Sequence, residues 1–110
     1  MKLSGVTWNE EKARKNLEKH GVSFETAQYV FSDQGRLERF DRSEENISGE
    51  ERWQALGKVG DTLLVVYAET GIEKRLITAR LATKAERKSY EGYYTIDGKG
   101  WTNRTKVRAN

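Results

Sequence analysis

The sequence predicts an α+β fold, in which one antiparallel sheet packs with two helices from the N-terminal part of the chain and one from the C-terminal part. Three observations predict it. Two β-branched and aliphatic runs, 62–68 and 75–81, flank a turn-like segment containing Gly71 and indicate a long hairpin. Two helix patterns with N-cap residues precede this hairpin. A further helix-start motif follows it directly.

Length and composition predict one small domain followed by a basic tail. The 110 residues are 35% hydrophobic and 34% charged, which suits a single modest core. Residues 1–94 form the expected domain. Residues 95–110 hold four basic residues and one acidic residue, so this tail accounts for the whole formal charge of +3. Its turn residues and isolated apolar side chains fit an appended hairpin or a flexible segment, and the sequence leaves both open.

The first third of the chain predicts a short strand and two helices. Residues 2–8 alternate between polar and apolar side chains as a strand does. Asn9 is a typical N-cap for a helix that ends near His20, where Gly21 stops it. Ser23 is an N-cap for a second, shorter helix. The two helices are therefore expected to pack against each other across a short connection.

The middle of the chain supplies the remaining strands. Residues 36–42 are charged enough to predict an edge strand, and 41–49 predict an exposed loop. Residues 51–59 predict a strand that reaches the hairpin through a turn at Gly60 and Asp61. The first arm of the hairpin is apolar on both faces. It is therefore expected in the middle of the sheet.

The junction after the hairpin carries the leading candidate for function. Thr83 and Glu86 match the capping box and predict a helix from Lys84 to about Tyr93. Arg80 ends the second arm of the hairpin just before this helix. A helix N-terminus presents unpaired N–H groups and partial positive charge, so an arginine beside it indicates a phosphate or carboxylate site.

Further arginines could extend this site, namely Arg52, Arg75 and Arg87. Strand alternation would point Arg75 and Arg80 to opposite faces, so these two need not share a site. The structural alternative is that the arginines pair with surface glutamates, namely Glu51, Glu73 or Glu86. Such pairs contribute only about 0 to 1 kcal/mol.

Histidine is the residue type that most readily exchanges protons near neutral pH, and His20 is the only histidine. It is therefore a candidate general acid or base. Against this, it ends a helix on the face that it is expected to share with Ala13 and Leu17, where histidine is favourable for structural reasons. Both interpretations remain open. Lys19 is expected to point elsewhere, towards solvent or a polyanion.

Composition excludes several kinds of chemistry. The chain has no cysteine, and one histidine does not make a zinc site of the usual multi-ligand kind, so no metal or other cofactor is expected. No apolar run approaches the roughly 20 residues that cross a bilayer. The first residues lack the apolar region of a secretory signal. We therefore expect a cytoplasmic protein that does not engage a membrane.

Three blocks of the sequence resemble the BrnT family of bacterial toxins. In order they are WNEEKARKNLEKHGVSFETAQYVFSD, EERWQALGK and LLVVYAETGIEKRLITARLATKAERKSYE. The resemblance covers residues 6–94, and its most specific parts are KHGVSF at 19–24 and AxxxER at 82–87. Two departures are conservative: Asn9 replaces the usual aspartate as a cap, and Thr78 keeps the hydroxyl of the usual serine.

The resemblance implies a small ribonuclease toxin with a RelE-like fold, which cleaves RNA and stops translation. It also implies a ribbon-helix-helix antitoxin as partner, in an expected 2:2 heterotetramer that binds operator DNA only through the antitoxin. Two competing interpretations come from other classes. One is a non-catalytic module that docks nucleic acid or an acidic partner, and the other is a co-repressor that acts only with its partner.

By motif, the functional positions of the family fall on seven residues here, namely Lys19, His20, Glu51, Arg52, Arg80, Glu86 and Arg87. We expect Arg80, with Arg52, to stabilise a phosphorane-like transition state. We expect His20, or a water that it orients, to transfer protons. We expect RNA binding by Lys19, Arg75 and Arg87. We expect Glu51 and Glu86 to support the site.

Overall fold

The computed structural model describes residues 1–42, 50–92 and 100–103. Its helices and strands follow in the order β1 (Val6–Thr7), α1 (Glu10–His20), α2 (Phe24–Ala27), a 3-10 helix (Gln28–Ser32), β2 (Leu37–Phe40), β3 (Arg52–Val59), β4 (Asp61–Thr70), β5 (Glu73–Leu81) and α3 (Lys84–Tyr90). The strands form one sheet in the order β1-β5-β4-β3-β2. The predicted α+β fold is confirmed, and the sheet is antiparallel except where β1 pairs in parallel with β5.

Strand β4 lies at the centre of the sheet, as its two apolar faces predicted. Leu63, Val65 and Tyr67 point to the face covered by α1 and α2, where they belong to the main core with Trp8 and Phe24. The alternate side chains of β4 point to the opposite face, on which a smaller apolar cluster lies beneath α3, with the members Leu37, Leu56, Leu64, Ala82, Tyr90 and Trp101. We call this second side of the sheet the α3 face.

The caps predicted for α1 are present. The side chain of Asn9 accepts a hydrogen bond from the Lys12 N–H at 3.0 Å, and Gly21 adopts a φ of 72° beyond the last turn. The buried face of the helix differs from the prediction, because Leu17 is 49% exposed whereas Asn16 is 6% exposed. Helix α1 therefore presents a polar residue to the sheet.

Asn16 ties α1 to the edge of β5. Its side-chain amide donates to the carbonyl of Ala79 at 2.8 Å and accepts from the N–H of the same residue at 3.1 Å. It also donates to the carbonyl of Val22 at 3.0 Å. The amide group thus takes the place of a strand beside Ala79. Strand β1 pairs only with Lys74 and Arg75 further along β5.

The second helical segment begins at its predicted N-cap, Ser23, whose hydroxyl accepts from the Thr26 N–H at 3.0 Å. It continues as a 3-10 helix after its first turn. Gly57 of β3 lets this segment approach the sheet closely, because a Cβ added there would lie 2.7 Å from Cγ1 of Val30. A side chain at position 57 would push the segment away from the sheet.

Strand β5 contains an irregularity that the sequence did not reveal. Val66 pairs with Thr78, whereas the next residue of β4, Tyr67, pairs with Leu76. Ile77 is therefore an extra residue on β5, as in a β-bulge. The alternation of side chains along β5 is shifted by one residue at this point.

Helix α3 begins with the predicted capping box at Thr83 and ends at Tyr90, earlier than predicted. Thr102 forms two backbone hydrogen bonds with Glu38, at 2.7 and 3.0 Å, and so extends the sheet beside β2. Tyr93, Tyr94, most of the loop 41–49 and the rest of the tail lie outside the described residues, and the domain boundary after residue 94 stays a prediction. In the described part of the chain, no helix is long and apolar enough to cross a membrane.

Candidate active site

The bulge at Ile77 brings Arg75 and Arg80 to the same face of the sheet. Arg75 pairs with Ala68 and Arg80 with Leu64, and these two partners point the same way on β4. The expectation that the two arginines lie on opposite faces is wrong, because it assumed a regular strand. Both guanidinium groups therefore belong to the α3 face.

Arg52 joins them on this face. It also pairs with Ala68, from the other side of β4, so Arg52 and Arg75 flank one residue of the central strand. The carboxylate of Glu50 lies between them, with one oxygen 3.7 Å from Arg52 Nε and the other in contact with Arg75 Nη2. Glu50 thus fixes two arginines while cancelling only one of their charges.

Arg80 is held by Glu86 at the start of α3. The guanidinium donates from Nη1 to Glu86 Oε1 at 2.9 Å and from Nη2 to Oε2 at 3.0 Å, a bidentate pair. Glu86 also accepts from the N–H of Thr83, which completes the capping box. One carboxylate therefore connects the end of β5, the N-terminus of α3 and the leading candidate residue.

The charge state of Glu86 follows from these contacts. Its burial opposes ionisation, but the hydrogen bonds from Arg80 and from the Thr83 N–H outweigh that effect. The pKa of Glu86 is accordingly lowered from its ordinary value. Glu86 is ionised at neutral pH and holds Arg80 in position.

Arg80 is not saturated by its internal partners. A guanidinium has five N–H donors. Within the described residues, Arg80 uses two of them on Glu86 and one on the carbonyl of Leu81. The other two donors remain for a ligand, and 35% of the side chain is exposed. The alternative that the arginines pair with glutamates is therefore correct for Arg80, but this pair leaves donors of Arg80 available to a ligand.

Arg52 and Arg80 do not converge on one point. Along β4 their partners are four residues apart, and the two arginines lie two strands apart. At about 3.4 Å per residue and 4.8 Å per strand, their Cα atoms are about 17 Å apart. A polynucleotide is extended enough to contact both, through different phosphates of one strand. Thr78, exposed on the α3 face between Arg75 and Arg80, lies along that line.

His20 lies near the site, on the other side of the β5 edge. It borders a shallow depression of about 280 Å³ between α1 and β5, together with Thr78. Lys19 was expected to point away from His20, but both border this depression. The structure therefore brings His20 to a residue two positions before Arg80. The imidazole of His20 makes no hydrogen bond to another described residue.

The remaining predicted residues are placed less centrally. Arg87 donates to the carbonyl of Ala82 at 3.2 Å, so its guanidinium lies against the first turn of α3. The side chain of Glu51 is exposed and makes no hydrogen bond or ion pair with a described residue. Its predicted supporting position is taken by its neighbour Glu50. In the described ranges, no cluster of three histidine, aspartate or glutamate residues is placed to hold a metal ion.

Sequence reasoning missed three residues of this surface. Glu50 and Asn16 fix other residues of the site, and Arg39 on β2 adds a further cation to the α3 face. The guanidinium of Arg39 stacks on Trp101, 4.1 Å from the ring centroid, and donates to Gln54 Oε1 at 2.9 Å. A signal for Arg39 was available, since it follows Leu37 by two residues on the predicted edge strand.

The fold and this surface define a small α+β domain that presents several arginines on one face of its sheet, an arrangement that suits a polyanion. The sequence from residue 8 to residue 86 matches the family model described as ribonuclease toxin, BrnT, of type II toxin-antitoxin system. The chain belongs to this family. Membership in a type II system also means that an antitoxin is its partner.

A solved structure shows the same fold. The crystal structure of the Brucella abortus ribonuclease toxin, BrnT, is similar with a TM-score of 0.51 and 21% sequence identity. The similarity covers 72% of this chain and 96% of that chain. No curated protein matches the sequence significantly.

Proposed function

We propose that this chain is an endoribonuclease toxin that cleaves RNA without a metal ion and thereby inhibits translation. The observation that carries the proposal is the placement of Arg52, Arg75 and Arg80 on one open face of the sheet, with two donors of Arg80 left over. Family membership supplies the substrate class. The residue roles below are proposals that rest on this placement.

The nucleophile of the reaction comes from the RNA itself, and the protein supplies the proton transfer and the charge stabilisation. The 2′-hydroxyl loses its proton to a base and its oxygen attacks the adjacent phosphorus, while the bond from phosphorus to the 5′-oxygen breaks. The departing 5′-oxygen takes up a proton. The products are a 2′,3′-cyclic phosphate and a 5′-hydroxyl end. Negative charge grows on the phosphate oxygens as the transition state forms, and fixed donors stabilise that charge.

Arg80 is the proposed electrostatic group. Its position is set by Glu86, so little reorganisation is needed when the phosphate arrives. Glu86 supports the site by orienting Arg80, and this role requires its carboxylate to be ionised. Arg52 and Arg75 are proposed to bind another phosphate of the same strand, because both flank Ala68, four residues along β4 from the partner of Arg80.

His20 is the proposed proton-transfer group, acting directly or through an ordered water. Its position beside Thr78 supports this role, because an RNA that contacts Arg80 passes close to Thr78. Lys19 and Arg87 are proposed to hold the phosphates on either side of the reacting linkage. Glu51 has no observed support for a role at the site, and its proposed contribution is limited to the charge balance near Arg52.

The partner is proposed to be a ribbon-helix-helix antitoxin in a 2:2 assembly, with operator DNA bound only through the antitoxin. The open α3 face is the surface that such an antitoxin must cover to block RNA. Because the proposed substrate is cellular RNA, the proposed place of action is the cytoplasm.

The test is induction of the chain alone in bacteria, with and without the antitoxin, followed by mapping of RNA ends. The proposal expects growth arrest and new 5′-hydroxyl ends, and it expects the purified chain to cleave RNA in the presence of EDTA. RNA binding without cleavage products would favour a non-catalytic module. Activity that is lost with EDTA and restored by a divalent metal would refute metal independence.

A further inference from the structure

Helix α1 separates its charges onto two sides. Its acidic residues Glu11 and Glu18 are both bound by Arg14, at 2.6 and 2.8 Å, and Glu10 lies 3.4 Å from Lys2. These acidic side chains are therefore paired with Arg14 and Lys2.

The other side carries three lysines with little neutralisation. Lys12 and Lys19 make no side-chain ion pair with a described residue, and Lys15 has only a contact of 3.9 Å with Glu11, in which both side chains are largely exposed. Such a pair contributes little. We call Lys12, Lys15 and Lys19 the lysine stripe. At 1.5 Å of rise per residue, it extends about 10 Å along the helix.

The lysine stripe lies next to the proposed site. All three lysines line the depression of about 280 Å³ that His20, Ile77 and Thr78 also border. Thr78 faces the arginine side of the sheet by its pairing with Val66. The part of the β5 edge that follows Arg75 is not paired with β1. It lies between the arginines of the α3 face and the lysines of α1.

We propose that the lysine stripe is a second binding surface for the RNA strand, which follows the arginines of the α3 face and crosses the β5 edge at Thr78. This inference rests on the proposed ribonuclease function and adds the path of the substrate. The lysines contact phosphates and do not read bases. Lys19 lies nearest the reacting linkage, whereas Lys12 and Lys15 add affinity only for RNA long enough to pass beyond the arginines.

The test measures the salt dependence of binding by the full chain to a single-stranded 20-nucleotide RNA with 2′-O-methyl groups, which cannot be cleaved. Each phosphate neutralised on a single strand contributes about 0.7 to the slope of log K against log salt. The triple variant Lys12→Gln, Lys15→Gln, Lys19→Gln is expected to reduce the slope by about 2. Each single variant is expected to reduce it by about 0.7.

Arg14→Gln is the matched control, because it removes one charge from the same helix on its acidic side. It is expected to leave the slope nearly unchanged. Thermal melting of every variant checks folding, and these exposed side chains are expected to leave the melting temperature within a few degrees of the wild type.

The outcomes separate this inference from the proposed function. A wild type that cleaves RNA, with a triple variant of unchanged slope, overturns the lysine stripe and leaves the ribonuclease in place. A triple variant that keeps its slope but no longer co-purifies with the antitoxin overturns it too and assigns the surface to a protein partner. A wild type that neither binds nor cleaves RNA overturns the proposed function itself.

Discussion

Replacement of Arg80 by alanine is expected to slow RNA cleavage by at least about 10²-fold, the usual cost of removing one fixed donor to a developing negative charge. The same change affects stability, because Glu86 loses its bidentate partner while its side chain is only 16% exposed. A hydrogen bond to a charged group is worth about 1.5 to 3 kcal/mol, and partial exposure of the pair reduces this to about 1 kcal/mol. In a domain of this size, that corresponds to a drop of about 4 °C in the melting temperature.

A second variant separates these two effects. Glutamine keeps the hydrogen-bond acceptor of a capping box but carries no charge. In the double variant Arg80→Ala, Glu86→Gln, the unpaired carboxylate is gone, so the melting temperature is expected to recover most of its loss. The cleavage rate is expected to stay low, because the guanidinium is still missing.

The assay is single-turnover cleavage of a defined RNA, read beside thermal melting of the same protein samples. Wild-type cleavage by Arg80→Ala would refute the assignment of Arg80. Cleavage that returns together with the melting temperature in the double variant would show that Arg80 acts only through stability. Arg80→Lys, which keeps the charge without the planar fork, is expected to fall between the wild type and alanine.

Three further predictions use other parts of the molecule. His20→Ala is expected to slow single-turnover cleavage by about 10² to 10⁴; unchanged cleavage with a lower melting temperature would make His20 structural. Burial and the hydrogen bond to Asp33 raise the pKa of Tyr90 to about 12, so this group contributes stability that is complete below its ordinary value of 10 and lost as the pH rises through about 12. Tyr90→Phe is expected to remove that part of the alkaline loss, as measured by urea unfolding at several pH values, and an identical pH profile would contradict it. Deletion of residues 104–110 removes three basic residues and is expected to lower the salt slope of RNA binding by about 2 if they contact RNA; an unchanged slope would leave them without an electrostatic role.

The starts of the three helical segments could be predicted because their signals are local. Asn9, Ser23 and Thr83 each act through a side-chain hydrogen bond to the N–H three residues later, which sequence spacing reveals directly. Arg80 could be selected for the same reason, since it immediately precedes a recognisable capping box.

The relation between the arginines could not be predicted, because it depends on a contact between strands. Arg75 and Arg80 are five positions apart in the sequence, and in a regular strand this spacing places them on opposite faces. Only the register against β4 shows that Ile77 is an extra residue. Likewise, Asn16 is buried because its amide meets Ala79, 63 residues further along the chain. Periodicity within α1 instead favoured Leu17 for that position.

The pairing of Thr102 with Glu38 has a consequence for how another protein can associate with this domain. An unpaired edge strand can accept an added strand from another protein through main-chain hydrogen bonds. Here the chain's own residues already occupy the outward-facing N–H and C=O groups of Glu38. An antitoxin strand that adds to this edge must therefore displace Thr102 from Glu38, so the C-terminal residues control access to this docking route.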